Sequence, residues 1–318
     1  MTKILPNGIC RRRLLSGGAA LIALSPLPAM AQATPLADAS LVRGLAFDGD
    51  DLLLVASDIW RSADGGANWQ RAAQTSPGQV SALASHPARP GRIYATLASG
   101  GVIRSEDGGR SWSQSGTGLP QGPADALTIG AHDPDTLYVA LRGDGLWRSQ
   151  DGGKAWEFVM DRPYEDGSER DILSLISVNS PTGMGGIWLY AGTDTGLTRV
   201  PDCFCRWQAV QSGDAMDALV AGVEPAPDKP LPAGAQVYSL ALAIAAPDVI
   251  YAALSSDLWK STDAGVNWAQ IAEMPMAQLA VHPTNPDHVI AVNDDTILLS
   301  RDSGLTWSAT SHNFRRTT

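Results

Sequence analysis

The sequence predicts an all-β chain: one β-propeller of six four-stranded antiparallel blades, with seven blades as the alternative. Three observations predict it. The stretch RSADGGANW (61–69) returns as RSEDGGRSW, RSQDGGKAW, KSTDAGVNW and LSRDSGLTW, and a sixth, degraded copy reads RVPDCFCRW. The tryptophans that end these copies stand 43, 44, 51, 61 and 39 residues apart, the length of a four-stranded blade. Among 318 residues there are 32 Gly and 21 Pro, and ten Trp against four Phe, a chain of many turns with large flat packing side chains.

In chain order, residues 1–31 come first. CRRRLLSGGAALIALSPLPAMA sets Arg11, Arg12 and Arg13 before an apolar stretch too short to span a bilayer, then ends on Ala29-Met30-Ala31. This pattern predicts an export signal, and Arg11-Arg12-x-Leu14-Leu15 fits the twin-arginine type. A second cut site follows Ala33. Residues 32–40 then read as a linker, 41–312 as the propeller and 313–318 as a tail. Losing the leader leaves 19 basic against 33 acidic residues, net −14, which argues against nucleic acid and anionic lipid as partners. No later segment has the roughly 18 apolar residues of a membrane span. The expectation is a mature protein soluble in the periplasm or outside the cell.

Each unit opens with a Pro-marked turn and an Ile/Leu-Tyr strand, as in HPARPGRIYATLASGGVIRS, HDPDTLYVALRGDGLWRS and APDVIYAALSSDLWKS. A short turn and a strand ending in a basic residue follow. Then comes Ser-x-Asp-x-Gly-x-x-Trp: Ser62/Asp64/Gly66/Trp69, Ser105/Asp107/Gly109/Trp112, Ser149/Asp151/Gly153/Trp156, Ser261/Asp263/Gly265/Trp268 and Ser300/Asp302/Gly304/Trp307. In the degraded copy Asp202 and Trp207 remain, while Val200 and Phe204 replace Ser and Gly. These residues are read as a hairpin staple. Gly supplies positive φ, Asp and Ser bond the turn backbone, and Trp folds back as an anchor. Carboxylates repeated blade by blade around a rim stand too far apart to share a substrate.

The motif resembles the Asp-box, or bacterial neuraminidase repeat, over residues 41–310. That family is built on β-propellers and includes sialidases, two-propeller xyloglucanases, sortilin-type receptors and the photosystem II assembly propeller; the cadence is most similar to the assembly-factor and xyloglucanase branches. The resemblance implies either a protein-binding or assembly scaffold, or a glycoside hydrolase of sialidase type acting on a glycan. For the hydrolase, the family's Tyr/Glu nucleophile pair leaves Tyr164 with Glu165, or Tyr238, because Tyr94, Tyr138, Tyr190 and Tyr251 fill the repeated strand position. The only Arg-x-Pro is Arg199-Val200-Pro201, whose Arg belongs to the repeated basic series.

That series is Arg61, Arg104, Arg148, Arg199 and Lys260, broken by Leu299. It is either a basic band that docks an acidic partner or a set of pairings with carboxylates of neighbouring blades. The residues just before it, Trp60, Ile103, Trp147, Thr198, Trp259 and Leu298, read as packing between blades. His86, His132 and His282 each open a turn, which suits turn hydrogen bonding better than a metal, and no cofactor is indicated. Cys203 and Cys205 fall where the staple loses its Gly. They are open to three readings: a disulfide that replaces the turn chemistry, exposed redox thiols, or a soft-metal, copper-handling pair. The repeat is interrupted at 160–171 and 212–234. Both segments join an outer strand to the next inner strand, so both belong to the face opposite the staples, where inserted loops carry binding. Asp161, Glu165, Asp166, Glu169, Asp171, Asp214, Asp217, Glu224 and Asp228, against Arg162, Arg170 and Lys229, predict an acidic lip for a protein partner there, with Arg162 and Tyr164 among the binding candidates.

Overall fold

The computed structural model describes residues 42–313 apart from 57, 74–77, 166, 183–184, 213–221, 223–226 and 294–295. The leader, the linker, and Asp166, Asp214, Asp217 and Glu224 therefore lie outside the described residues. So do residues 314–318; the last strand, Ser308–Asn313, runs one residue into the expected tail.

Among the described residues there are six four-stranded antiparallel sheets, each built from four consecutive strands of the chain. The expected six-bladed propeller is what forms. The first strands are Gly44–Asp48, Val80–Ser85, Ala124–Gly130, Ser174–Val178, Ser239–Leu242 and Gln278–His282. Each touches the next, and the last touches the first, so these strands ring the axis. The second strands carry the longest apolar runs and are buried almost throughout, from DLLLV (Asp51–Val55) to LYVAL within Asp133–Leu141. Burial on both faces explains why they are apolar without alternation. Outer strands are short and exposed, such as Gln70–Arg71 and Ser113–Gln114.

One blade cannot hide both of its faces, and radial stacking hides them. Six apolar clusters form, each drawn from two adjacent blades; Leu53, Val55 and Ile59 of blade 1, for example, pack with Ile93, Ala95 and Leu97 of blade 2. The residues that precede the basic series join these seams: Trp60 lies between blades 6 and 1, Ile103 between 1 and 2, Trp147 between 2 and 3, and Trp259 between 4 and 5. Among the described residues no strand crosses from blade 6 back to blade 1, because each sheet is contiguous in sequence. That seam is closed by side chains: Phe47 meets His282 and His288 edge-on at 5.1 and 5.2 Å, and His282 Nε2 lies 2.9 Å from Asp50 Oδ1.

Since strands alternate in direction, the fourth-to-first connections and second-to-third turns share one face, here the insertion face. The staple hairpins and first-to-second turns occupy the other, the hairpin face.

Candidate functional site

The staples come first, since they fix every blade. In five hairpins the buried Ser hydroxyl donates to Asp Oδ1 at 2.7–2.8 Å and accepts the Gly N–H at 2.8–2.9 Å. The same Asp oxygen accepts the N–H four residues on, at 2.8–3.0 Å. These donors favour the carboxylate form. The Ser111 hydroxyl and N–H bring Asp107 down to about 2. All five carboxylates are thus fixed turn acceptors, permanently ionised at neutral pH.

Most of the staple lies inside the wheel, where no partner or substrate reaches it. Ser62, Ser105, Ser149, Ser261 and Ser300 are each 1% exposed. Gly66, Gly109, Gly153, Gly265 and Gly304 are buried as well, with φ between +83 and +90. Trp69, Trp156 and Trp268 are buried, and Trp112 and Trp307 half-buried. Trp112, Trp268 and Trp307 fold back as expected and donate the indole N–H to the Gly carbonyl of their own hairpin, at 2.9, 2.7 and 3.0 Å. Trp69 also folds back, its Cζ2 3.6 Å from the point that a Cβ would take on Gly66, but the buried indole N–H groups of Trp69 and Trp156 make no hydrogen bond among the described residues. Packing alone anchors these two: Trp69 joins the apolar cluster of Phe47 and Leu52 between blades 6 and 1, and Trp156 that of Tyr94 and Leu137 between blades 2 and 3.

The basic series points into the seams. Arg61 donates to Asp48 and Asp51, each at 2.8 Å, and reaches Gly108 O of blade 2 at 3.2 Å. Arg104 pairs with Glu106 and lies 3.4 Å from Gly152 O of blade 3. Arg148 pairs with Glu157 at 2.6 Å and covers the Phe204 ring of blade 4 at 5.3 Å. Arg199, only 4% exposed, stacks over Trp188 at 4.1 Å, and Lys260 lies 5.6 Å over Tyr251. The carboxylates thus come from the residue's own blade, where adjacent strands bring them within reach. What crosses the seam is a bond to a carbonyl or a stack on a ring. The repeated tyrosines cross it too: Tyr94, Tyr190 and Tyr251 donate to Gly152 O, Ala264 O and Pro286 O of the next blade at 3.1, 2.8 and 2.9 Å. Burial, with a smaller push from the Asp202 charge, raises Tyr138 to about 12.

On the axis the structure shows a feature that the sequence reading missed. Leu45, Leu83, Leu127, Leu175, Leu240 and Leu279 line both axial cavities, one leucine from each blade. Each pairs across its sheet with the residue one past the tyrosine position, such as Leu127 with Val139 and Leu240 with Ala252. They form a closed apolar ring. Below it, toward the hairpin face, Phe47, Ser85, Thr128, Ile129, Ser177 and Ile244 line a recess of mixed polarity. Above it, Arg43, Ser81, Asp125, Tyr238, Ser239 and Gln278 line a polar chamber. Asp125 is held by two bonds from Arg142, at 2.6 and 2.8 Å, and Tyr238 is 39% exposed. The legible signal was one Leu per unit, in GLAFD, ALAS, ALTIG, SLISV, SLAL and QLAVH.

The first inserted segment folds into a small ribbon, Tyr164–Glu165 against Ser168–Glu169. Tyr164, in the pair of the ribbon farther from its turn, is 69% exposed. Glu165 accepts hydrogen bonds from the hydroxyls of Thr195, at 2.8 Å, and Thr193, at 3.3 Å, both in a turn of blade 4. Arg162 pairs with Glu169 and with Asp171 (3.1 Å), and Arg170 with Asp194 (3.5 Å). Where an acidic lip was expected, carboxylates of the described part are ion-paired: Arg162 folds back on Glu169 and Asp171, and Arg170 reaches Asp194 of blade 4. Asp161 offers its carbonyl to Trp207 Nε1 at 2.7 Å. Among the described residues, neither Tyr164 nor Tyr238 hydrogen-bonds to Glu165. The second inserted segment is anchored where Trp268 N donates to Lys229 O at 2.7 Å.

In blade 4 the degraded hairpin is closed by a Cys203–Cys205 disulfide, with Phe204 at φ 54. His86 Nδ1 accepts the Ala88 N–H at 3.2 Å, and His282 Nδ1 faces the Thr284 hydroxyl at 3.3 Å, both within their turns. Among the described residues no group of three or more His, Cys, Asp or Glu is placed to hold a metal.

Solved structures of known proteins share this architecture. The GH74 enzyme of Niastella koreensis superposes with a TM-score of 0.59 at 16% identity, over 84% of this chain and 45% of that one. The GH74 xyloglucanase of Xanthomonas campestris gives 0.55 at 18%, over 86% and 53%. YCF48 of Cyanidioschyzon merolae gives 0.52 at 15%, over 87% of both chains. The likeness is one of fold. This chain spans about half the length of the GH74 chains that it matches. The family model Sortilin-Vps10 (sortilin, neurotensin receptor 3) matches residues 57–166, which fits a propeller. No curated protein matches in sequence.

Proposed function

We propose that this chain is an exported Asp-box propeller, carried out by a twin-arginine-type signal, that acts as a non-catalytic scaffold and binds a protein partner through its insertion face. One observation carries the reading: the repeat carboxylates are locked into turns, while the inserted ribbon beside blade 4 and the polar axial chamber both lie on the insertion face. That face offers exposed Tyr164, the ion-paired ribbon and the polar chamber, which the leucine ring floors. The likeness to YCF48 over 87% of both chains agrees with a scaffold but does not decide it. The test is partner binding by the mature chain with residues 162–171 replaced by a short glycine-rich turn. Binding falls at least tenfold if the face is right; unchanged binding refutes the reading.

The alternative is a glycoside hydrolase with Tyr238, or Tyr164 and Glu165, as the reacting groups. One observation favours it: Tyr238 shares the polar chamber with Asp125 and Arg43. Turnover of a fluorogenic sialoside or glucan that disappears in Tyr238→Phe or Tyr164→Phe would establish it.

A further inference from the structure

Blade 4 breaks the pattern of the other five at its hairpin, and the break reaches the inserted segment. In blades 1, 2, 5 and 6 the Trp Cζ2 lies 3.4–3.6 Å from the point that a Cβ would take on the staple Gly, so the indole folds over bare backbone. Phe204 stands at that place. Its ring turns into the seam between blades 3 and 4, 6.1 Å from Tyr138 and beneath Arg148. Trp207 then takes a different course and donates its indole N–H to Asp161 O at 2.7 Å. Asp161 ends the outer strand of blade 3 and begins the inserted segment.

Val200 also removes the hydroxyl that ties the other turns together. What closes this one is the Phe204 N–H bond to Pro201 O at 2.8 Å and the disulfide. Both cysteines are exposed, and exposed Arg206 follows directly. A bridge that spans one residue restricts the unfolded chain little, so it is dispensable to the global fold. Exposure admits an attacking thiolate, and a neighbouring cation favours the thiolate that leaves.

We propose that Cys203–Cys205 is a thiol–disulfide exchange site whose substrate is a protein dithiol, and that its redox state sets how tightly residues 161–173 are held. In the exchange, a thiolate of the dithiol attacks one Sγ of the bridge. The S–S bond breaks, a mixed disulfide forms, and the other cysteine leaves as a thiolate that takes up a proton. The second thiol of the dithiol then displaces the remaining cysteine. The dithiol ends oxidised, and the bridge has gained two electrons and two protons. With the bridge open, Phe204 is free to leave its left-handed conformation, which costs a bulky residue energy, and Trp207 loses its hold on Asp161. This inference stands on the hairpin geometry and is independent of the scaffold reading.

The test uses the full mature chain, purified with its bridge intact, and a reduced thioredoxin-type dithiol protein. Thiols are counted by alkylation and mass spectrometry, and amide hydrogen exchange is followed peptide by peptide. The expected result is two alkylated cysteines under native conditions, unchanged β-sheet circular dichroism, and exchange across 161–173 that rises several-fold while the first strands keep their protection. Trp207→Phe should raise the same exchange with the bridge still closed and equally reducible. Should that variant fail to fold, Cys203→Ser/Cys205→Ser should show the raised exchange with no reductant present. Reduction only after denaturation, or native reduction that leaves 161–173 unchanged, overturns the proposal.

Discussion

At the residue scale, the staple is a small set of hydrogen bonds with a calculable cost of loss. Ser149 Oγ accepts the Gly153 N–H at 2.9 Å in a buried setting, so Ser149→Ala leaves that donor unsatisfied. The expected cost is about 1–3 kcal/mol in a urea titration. Asp107 gives the pH dependence its lower leg. Its folded value, about 2, lies below the ordinary 3.8, so its contribution is full above pH 3.8 and is lost as pH falls toward 2. Asp107→Asn should be less stable at neutral pH and should flatten that leg; a titration curve identical to the parent would contradict the assignment. Ser, Asp and Gly could be assigned from sequence because their partners lie within five residues. Whether a staple Trp bonds its own hairpin, as Trp268 does, or only packs, as Trp69 and Trp156 do, depends on the neighbouring blade and was not legible. The carboxylate partners of Arg61 and Arg148 were hidden for another reason, since they depend on the strand register within the blade. The partners of Glu165, the hydroxyls of two threonines 28 and 30 residues away, were likewise not legible.

At the element scale, the hairpin depends on backbone that only glycine adopts easily. Gly109 has φ +87, and an added Cβ would meet Ala72 and the indole of Trp112, each at 3.6 Å. Space is adequate there, so the cost of Gly109→Ala is that of the left-handed backbone, about 1–2 kcal/mol, readable as a lowered thermal midpoint. Blade boundaries were legible because turn residues and the Trp spacing repeat at fixed distance. The second inserted segment carries no repeat, and its Asp214 and Asp217 lie outside the described residues, so their place in the lip stays a prediction from sequence. The disulfide was one of three open readings, because an i/i+2 cysteine pair has the same spelling whether bridged, reduced or metal-bound.

At the scale of the whole molecule, six seams must close, and among the described residues the chain runs directly across five of them. The sixth, between blades 6 and 1, depends on an apolar cluster and on the His282–His288 stack against Phe47. Burial chiefly, then the Arg301 and His282 charges, bring His288 down to about 4 from 6.5, against the opposing pull of Asp50. Between those values the unfolded chain binds the proton and the folded chain does not, so stability falls as pH drops from 6.5 to about 4. His288→Gln should reduce that upper leg of acid sensitivity in a chemical denaturation series, leaving the smaller part that buried His86, also lowered from 6.5, contributes, and the carboxylate leg in place. The leucine ring belongs to this scale too. It was present in the sequence as one Leu per first strand, but a ring is visible only once six strands converge on an axis. Leu127→Ala opens it and should cost about 2–5 kcal/mol.

The central claim is that binding belongs to the insertion face beside blade 4 and that the hairpin face is structural. Tyr164, 69% exposed, and Leu305, 70% exposed on a hairpin, mark the two faces. Placing a photoactivatable benzoylphenylalanine at either position and crosslinking in cells that express the chain compares them directly. The account predicts one discrete protein adduct from position 164 and none from position 305; adducts from 305 alone, or none from 164, would contradict it.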